Sequence, residues 1–236
     1  MLKYEAIAAR LRHDIIGGKY SAGQQLPLEK EMCAQYDVSR ITIKRAMDQL
    51  VKQGLVVKRR GSGTFVKSLD DTDVKELGMA NQFSGFTATF KGRKVSTKVL
   101  RFDIIHPTSE VANKLQMSTD DFIYYIVRVR SLEGEPIVIE YTQMPIQLIP
   151  GLKRQIIEKS IYSYIENDLK LKIQSAHRTV RAIMPTEEEK KELAIEGILP
   201  LLEVEQVAFL DDGRPFEYSV AHHRGDRNVF RSVSIR

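Results

Sequence analysis

Apolar residues recur along the first 66 positions at helical spacing and then at alternating spacing, which predicts three helices and a hairpin. Tyr4, Ile7, Ala8, Leu11 and Ile15 form one apolar stripe, ended by Gly17-Gly18. A turn through Ser21 to Pro27 leads to a second helix over 28–36, with Leu28, Met32 and Tyr36 directed inward and Pro27 suited to its start. After Asp37-Val38, Ser39 is a good N-cap, because its hydroxyl accepts a hydrogen bond from an early helical N–H. Ile43, Ala46, Met47 and Leu50 then make a buried stripe, and Gly54 ends the helix. Arg40, Ile41, Lys44, Arg45 and Asp48 stay outward. Val56 and Val57 open a β-branched run, Arg60-Gly61-Ser62-Gly63 turns, and Thr64-Phe65-Val66 returns.

Residues 68–80 are polar and acidic with no sustained period, and read as a linker. Beyond them the pattern mixes strand and helix. Strands are predicted over 95–104, 121–131, 136–142, 172–184, 201–210 and 215–223. Helices are predicted over Ser109–Leu115, Ser160–Asp168 and Glu187–Ile195, the last opened by a Thr186-x-x-Glu189 capping box. Turns at Glu133-Gly134-Glu135-Pro136 and Asp211-Asp212-Gly213-Arg214-Pro215 predict antiparallel hairpins. The expected architecture is α+β: a winged helix-turn-helix over 1–67, the linker, and a domain over 81–236 with an antiparallel sheet and flanking helices.

Charge sharpens this division. Residues 1–67 carry 13 Lys+Arg against 6 Asp+Glu, a net of +7, and the remainder carries 23 against 25, a net of −2. Basic charge gathered at one end is the footprint of a nucleic-acid module. No apolar run reaches the roughly 18 residues of a membrane span, and the N-terminus lacks a signal-peptide core, so a cytoplasmic protein with no membrane partner is expected. Cys33 is alone, which excludes an internal disulfide and a cysteine-based zinc site.

A short helix with a basic outer face suits the DNA major groove, and a glycine-bearing tip flanked by Lys58, Arg59 and Arg60 can approach phosphate or minor groove without a Cβ in the way. The order Leu26-Pro27-x-Glu29, Val38-Ser39-Arg40-x-Thr42-x-Lys44-x-Ala46, Leu50, Gly54-Leu55 and Gly61-Ser62-Gly63-Thr64-Phe65-Val66 resembles the GntR superfamily of bacterial transcription regulators. The resemblance implies DNA contacts from Lys30, Ser39, Arg40, Thr42, Lys44, Arg60, Gly61 and Gly63. Two positions depart from the family pattern: Leu28 replaces a small polar cap, and Lys44 replaces a common arginine, giving a point charge in place of a planar fork. Arg40 and Lys44, one turn apart, can reach guanine edges; Ser39, Thr42 and the wing hold phosphate and set register.

In the second half, Arg128-x-Arg130, Gly134-Glu135-Pro136-x-x-x-Glu140, Ser160-x-Tyr162, Asp212-Gly213-Arg214-Pro215-Phe216-Glu217 and Arg224-x-Asp226 are similar in order to the UTRA effector-binding domain of the HutC-type branch, whose fold resembles chorismate lyase. By that resemblance the ligand set is Phe86, Thr87, Arg128, Arg130, Glu140, Ser160, Tyr162, Glu217 and His223. Many relatives carry Tyr at the position of His223, which points to a different effector.

Spacing gives its own view of these residues. Arg128 and Arg130 share one strand face about 7 Å apart, with Phe122, Tyr124 and Ile126 as apolar neighbours. A three-residue turn at 133–135 sets Arg128 opposite Glu140; a four-residue turn flips Glu140 away. Buried guanidiniums need anionic company, either from Glu140 and Glu217 or from a ligand phosphate or carboxylate; plain salt bridges on a solvated sheet face are the alternative. His222 and His223 alternate faces and cannot share one metal, and read as a surface histidine beside a core one. No nucleophile–base pair, metal cluster or phosphate-binding glycine loop supports an enzyme, and no cofactor is implied. The expectation is a ligand-responsive transcription regulator, a repressor, that meets a pseudo-palindromic double-stranded operator as a homodimer; a lyase-type enzyme fused to a DNA-binding module and a DNA-binding protein without a ligand are the alternatives. Its effector is expected to be a small anion, a phosphorylated sugar ahead of a carboxylic acid.

Overall fold

Leu11, Met32, Ile43, Met47 and Leu50, predicted inward on three separate helices, are buried together in one core with Leu26 and Leu55. The helices are α1 (Lys3–Ile16), α2 (Glu29–Tyr36) and α3 (Arg40–Lys52), followed by the hairpin β1 (Val56–Arg59) and β2 (Gly63–Val66). Burying each such side chain contributes about 1.5–3 kcal/mol, so this small unit depends on the stripes meeting in register. Leu28 corrects the expectation: it is the N-cap of α2 and is 50% exposed. One residue ahead of the helix, it lies off the apolar stripe. Its side chain offers no acceptor, so only the reciprocal half of a capping box forms, with Leu28 N–H donating to Glu31 Oε2 at 2.8 Å. Asp48, expected outward, is half-buried and pairs with Lys58 at 2.6 Å, tying α3 to the wing.

The computed structural model describes residues 2–68, 85–90 and 92–230, so apart from Ser68 the expected linker at 68–80 lies outside the described residues. The chain forms two compact units, and the second is built on a six-stranded antiparallel sheet. Its strands are β3 (Val95–Ile105), β4 (Ile123–Leu132), β5 (Glu135–Pro145), β6 (Ile173–Ile183), β7 (Leu201–Leu210) and β8 (Pro215–Arg224), in the order β3-β4-β5-β8-β7-β6. Two meanders of consecutive strands are thus joined by β5 pairing with β8. Helices α4 (Phe86–Thr89), α5 (Ser109–Leu115), α6 (Arg154–Ile157), α7 (Ile161–Asn167) and α8 (Glu187–Glu192) flank it. The sequence pattern does not reveal α4 and α6, each of which is a single turn.

The β4–β5 connection differs from both turns considered. It has two residues, Glu133 and Gly134, both with positive φ (52° and 89°), and Leu132 pairs with Glu135. That turn alone would misalign Arg128 and Glu140. A bulge between Arg130 and Ser131 shifts the register by one, and Arg128 does face Glu140. The helix expected over 187–195 stops at Glu192, because Ala194 turns left-handed at φ 50°. That turn buries both Leu193 and Ile195 against Val127, Val129 and Ile139. Arg224 Nη1 satisfies the freed carbonyls of Leu193 and Ala194 at 3.0 and 3.3 Å.

Alternation sends Val127 and Val129 to one side of the sheet and Ile126, Arg128 and Arg130 to the other. The second side carries the core of Tyr124, Ile126, Met144, Ile157, Ile161 and Phe216, covered by α6 and α7. Phe122 is not part of it: it precedes β4, is 50% exposed and packs at a tilt against His106. Among the described residues, no helix is long and apolar enough to cross a membrane.

Candidate DNA-reading surface and anion-binding face

Ser39 caps α3 as expected, its Oγ accepting from Thr42 N–H at 3.4 Å and lying 3.0 Å from Thr42 Oγ1. The start of α3 therefore presents polar N–H groups and hydroxyls, a setting that favours phosphate. Arg40, the first helical residue, has a side chain 83% exposed and its Nε donates to Glu29 Oε2 at 3.0 Å. Lys44 is exposed one turn on, beside the exposed apolar side chain of Ile41. Lys30, Arg40, Arg60, Gly61 and Gly63 line one cleft between the start of α2 and the wing. Ser39, Thr42 and Lys44 continue along α3.

The two wing glycines have different reasons to be glycine. Gly61 at φ 75° sits at the open tip, where an added Cβ would meet nothing. Gly63 lies at φ 119°, and a Cβ there would come within 2.4 Å of Gln25 Nε2. Gln25 donates across to Ser62 O at 2.7 Å, so Gly63 lets the body of the unit grip the wing. Arg59 covers the Phe65 ring at 4.6 Å, and Arg60 is exposed next to the tip.

On the second unit, the β4 arginines meet their expected carboxylate. Arg128 Nε donates to Glu140 Oε2 at 2.7 Å, and its Nη1 donates to Ile157 O at 2.9 Å. Arg130 is more enclosed, 2% exposed, with Nη2 donating to Thr87 Oγ1 at 2.8 Å and the guanidinium 4.6 Å over the Phe86 ring. Glu140 Oε2 is 3.9 Å from Arg130 Nη1, and Arg130 Nε is buried with no hydrogen-bond partner among the described residues. Burial pushes the Arg130 guanidinium down to about 10, partly offset by Glu140. Burial likewise pushes the Glu140 carboxyl upward, but Arg128 and Arg130 outweigh it and hold it below the usual range. Two buried guanidiniums thus share one carboxylate, and Arg128 holds it at the shorter distance.

Glu217 does not join the arginines. Tyr162 Oη, Gln206 Nε2 and Ser219 Oγ all donate to its Oε1, at 3.2, 2.7 and 2.8 Å. Burial raises the Glu217 carboxyl despite those bonds, and burial together with Glu217 raises the Tyr162 phenol well above its usual value. The physical reason lies in the topology: Glu217 is on β8, beside β7 and beneath α7, away from β4. Gly85 packs against the Tyr162 ring, where a Cβ would come within 3.2 Å. Ser160 caps α7 by accepting from Ser163 N–H at 3.2 Å, so its hydroxyl has a structural task two residues before Tyr162. His223 shares a cross-strand row with Arg130, each facing Val138.

The sheet adds residues that spacing did not single out. Gln206 and Ser219 pair across β7 and β8, and Arg178 on β6 donates through Nε to Gln206 Oε1 at 3.0 Å. Each is a polar position among apolar ones on the inward side of its strand, which is a legible signal. What they converge on depends on strand order. The histidine pair also differs from expectation, since both are half-buried. His222, on the opposite side, holds Glu189 Oε1 at 2.5 Å and Glu203 Oε2 at 3.0 Å, so both ring nitrogens are engaged.

His223 gives a pH test of this face. Burial depresses it to about 4 from 6.5, against a smaller opposing pull from Glu140. The unfolded chain then takes up a proton between those values that the folded chain does not. Stability is therefore complete above pH 6.5 and falls as pH drops towards 4, by at most about 3 kcal/mol from this group. His223→Gln is expected to flatten the decline in urea midpoint between pH 6.5 and 4.5; an unchanged slope contradicts the assignment.

Comparisons with known proteins identify both units. Residues 91–228 match the model of the UTRA domain, and residues 3–66 match the family described as bacterial regulatory proteins, gntR family. The transcriptional regulator GmuR of Bacillus subtilis (strain 168) is 42% identical over 236 residues, covering 100% of both chains. MngR of Escherichia coli (strain K12), the mannosyl-D-glycerate transport/metabolism system repressor, is 35% identical over 99% of this chain and 96% of its own. The crystal structure described as that of possible transcriptional regulator YydK from B. subtilis superposes over 100% of both chains with a TM-score of 0.80 at 29% identity. These relatives are regulators and not enzymes. The chain thus belongs to the gntR family of bacterial regulatory proteins, in the HutC-type branch that joins a helix-turn-helix to a UTRA domain, and is a DNA-binding transcription regulator responsive to a small-molecule effector.

Proposed function

We propose that this regulator is a cytoplasmic homodimeric repressor that occupies a pseudo-palindromic operator and releases it on binding a phosphorylated sugar. The observation that carries the effector class is Arg130: a guanidinium 2% exposed, with its Nε lacking a hydrogen-bond partner among the described residues and the Glu140 carboxylate beside it held more tightly by Arg128. A buried charge left short of partners is expensive, and a phosphate supplies both the negative charge and the acceptor oxygens that a planar guanidinium matches. The Tyr162–Glu217–Gln206–Ser219 group on the same face offers donors and a carboxylate suited to sugar hydroxyls. MngR is named for a glycosylated acid, which fits a ligand with an anionic end and a hydroxyl-rich end. Arg40 and Lys44 read base edges in this scheme, while Lys30, Ser39, Thr42, Arg60, Gly61 and Gly63 contact the backbone.

Release requires that the ligand bind the DNA-free arrangement more tightly than the DNA-bound one, by about 1–3 kcal/mol, with operator weakening ligand binding reciprocally. Thermal denaturation of the full chain against phosphorylated hexoses and disaccharides, their unphosphorylated parents and sugar acids tests the class. A matched phosphosugar at a hundredfold its Kd is expected to raise the midpoint by roughly 5–10 °C and to release operator duplex. A shift produced equally by the unphosphorylated sugars would rule out the anion-centred reading.

A further inference from the structure

The Glu29–Arg40 ion pair is unusual in its placement, because it sets a carboxylate among the cations of a DNA-facing cleft. Lys30, Arg40, Lys58, Arg59 and Arg60 all line that cleft, and Glu29 is the acidic residue among them. An anion there opposes phosphate by itself, so its benefit must come through what it holds. Glu29 begins α2 and its carboxylate is about one quarter exposed, at 27%, whereas the Arg40 side chain is 83% exposed. The better-fixed partner is therefore the acid, and the mobile one is the arginine. The contact is made through Nε, at 3.0 Å. A guanidinium held by Nε keeps the edge formed by its two Nη groups for a second partner, and that edge can bridge O6 and N7 of guanine. Arg40 also starts α3 immediately after its N-cap, so its backbone is fixed as well.

We infer that Glu29 is a positioning residue for base reading: it anchors Arg40 by Nε and presents the Nη edge to one base pair of the half-site. This rests on Arg40 being a base reader, so the experiment separates the two. Full-length parent, Glu29→Ala, Arg40→Ala and the double variant are tested against an operator selected from a random duplex pool by the parent protein. Each single base-pair substitution of the half-site is then titrated, together with an unrelated duplex.

Glu29→Ala is expected to lower discrimination about 3- to 10-fold at one base-pair position, the position that Arg40→Ala also affects, as a fraction of the discrimination carried by a bidentate arginine. Affinity for the unrelated duplex should hold or rise about two- to five-fold, since a carboxylate leaves the surface that meets phosphate. In the Arg40→Ala background the Glu29 change should add nothing to discrimination, which a merely structural role would not reproduce. Discrimination unchanged in Glu29→Ala, reduced at a different position, or reduced further in the double variant would overturn the positioning role while leaving Arg40 as reader. Arg40→Ala with full discrimination at every position would overturn both.

Discussion

Arg130→Met is expected to abolish the effector response while leaving the second unit as stable as the parent or more so. In the free protein Arg130 gives one hydrogen bond to Thr87, covers Phe86, leaves Nε without a partner among the described residues, and shares a carboxylate 3.9 Å away. Exchanging a poorly compensated buried charge for a flexible apolar side chain of similar length is often neutral or stabilising by about 1–4 kcal/mol. Arg128 remains to neutralise Glu140 through its 2.7 Å contact, so no carboxylate is stranded. Ligand binding behaves oppositely. Removing one member of a buried, hydrogen-bonded charge pair costs roughly 2–5 kcal/mol, or about 30- to 4000-fold in effector affinity at 1.4 kcal/mol per decade. Calorimetric titration with the effector, beside urea denaturation, measures both sides. A variant that still binds effector within threefold of the parent, or that is markedly less stable, removes Arg130 from the anion site.

The second large effect is at Arg40. Arg40→Ala is expected to cost about 1–3 kcal/mol of discrimination at one base pair, five- to 150-fold, with a much smaller change in binding to unrelated duplex. Folding stability should barely move, because the Arg40–Glu29 pair is largely exposed on the arginine side and exposed pairs contribute about 0–1 kcal/mol. Lys30→Ala provides the contrast. A backbone contact carries no sequence information, so its loss should lower affinity across sequences and reduce the salt slope by about one. Competition titrations at two salt concentrations distinguish the patterns, and a uniform loss in Arg40→Ala would reassign it to phosphate.

The elements themselves were legible along the chain. Period and breakers alone place the six strands of the second unit to within about two or three residues at either end, and the stripe over Ile43–Leu50 marks α3 with its Ser39 cap. The Arg128–Glu140 pair was legible only as a conditional. The observed turn is shorter than the one that yields the pair, and a bulge restores it. A bulge leaves no mark in local composition, because it reflects how two strands accommodate each other's side chains.

The limits are clearest for Glu217. Its strand was anticipated, but which groups stand above and beside it depends on β5 pairing with β8 and on α7 packing over that side. The amino-acid order by itself determined the basic reader with its capped helix and glycine wing, the α+β division, and two arginines on one strand face, since each follows from spacing within one element. Tertiary structure alone decided that Arg130 is left under-compensated while Arg128 is not, that Glu217 serves Tyr162 in place of the arginines, and that Glu29 reaches Arg40. Those outcomes join residues distant in the chain, and they depend on register and strand order, which no local period encodes.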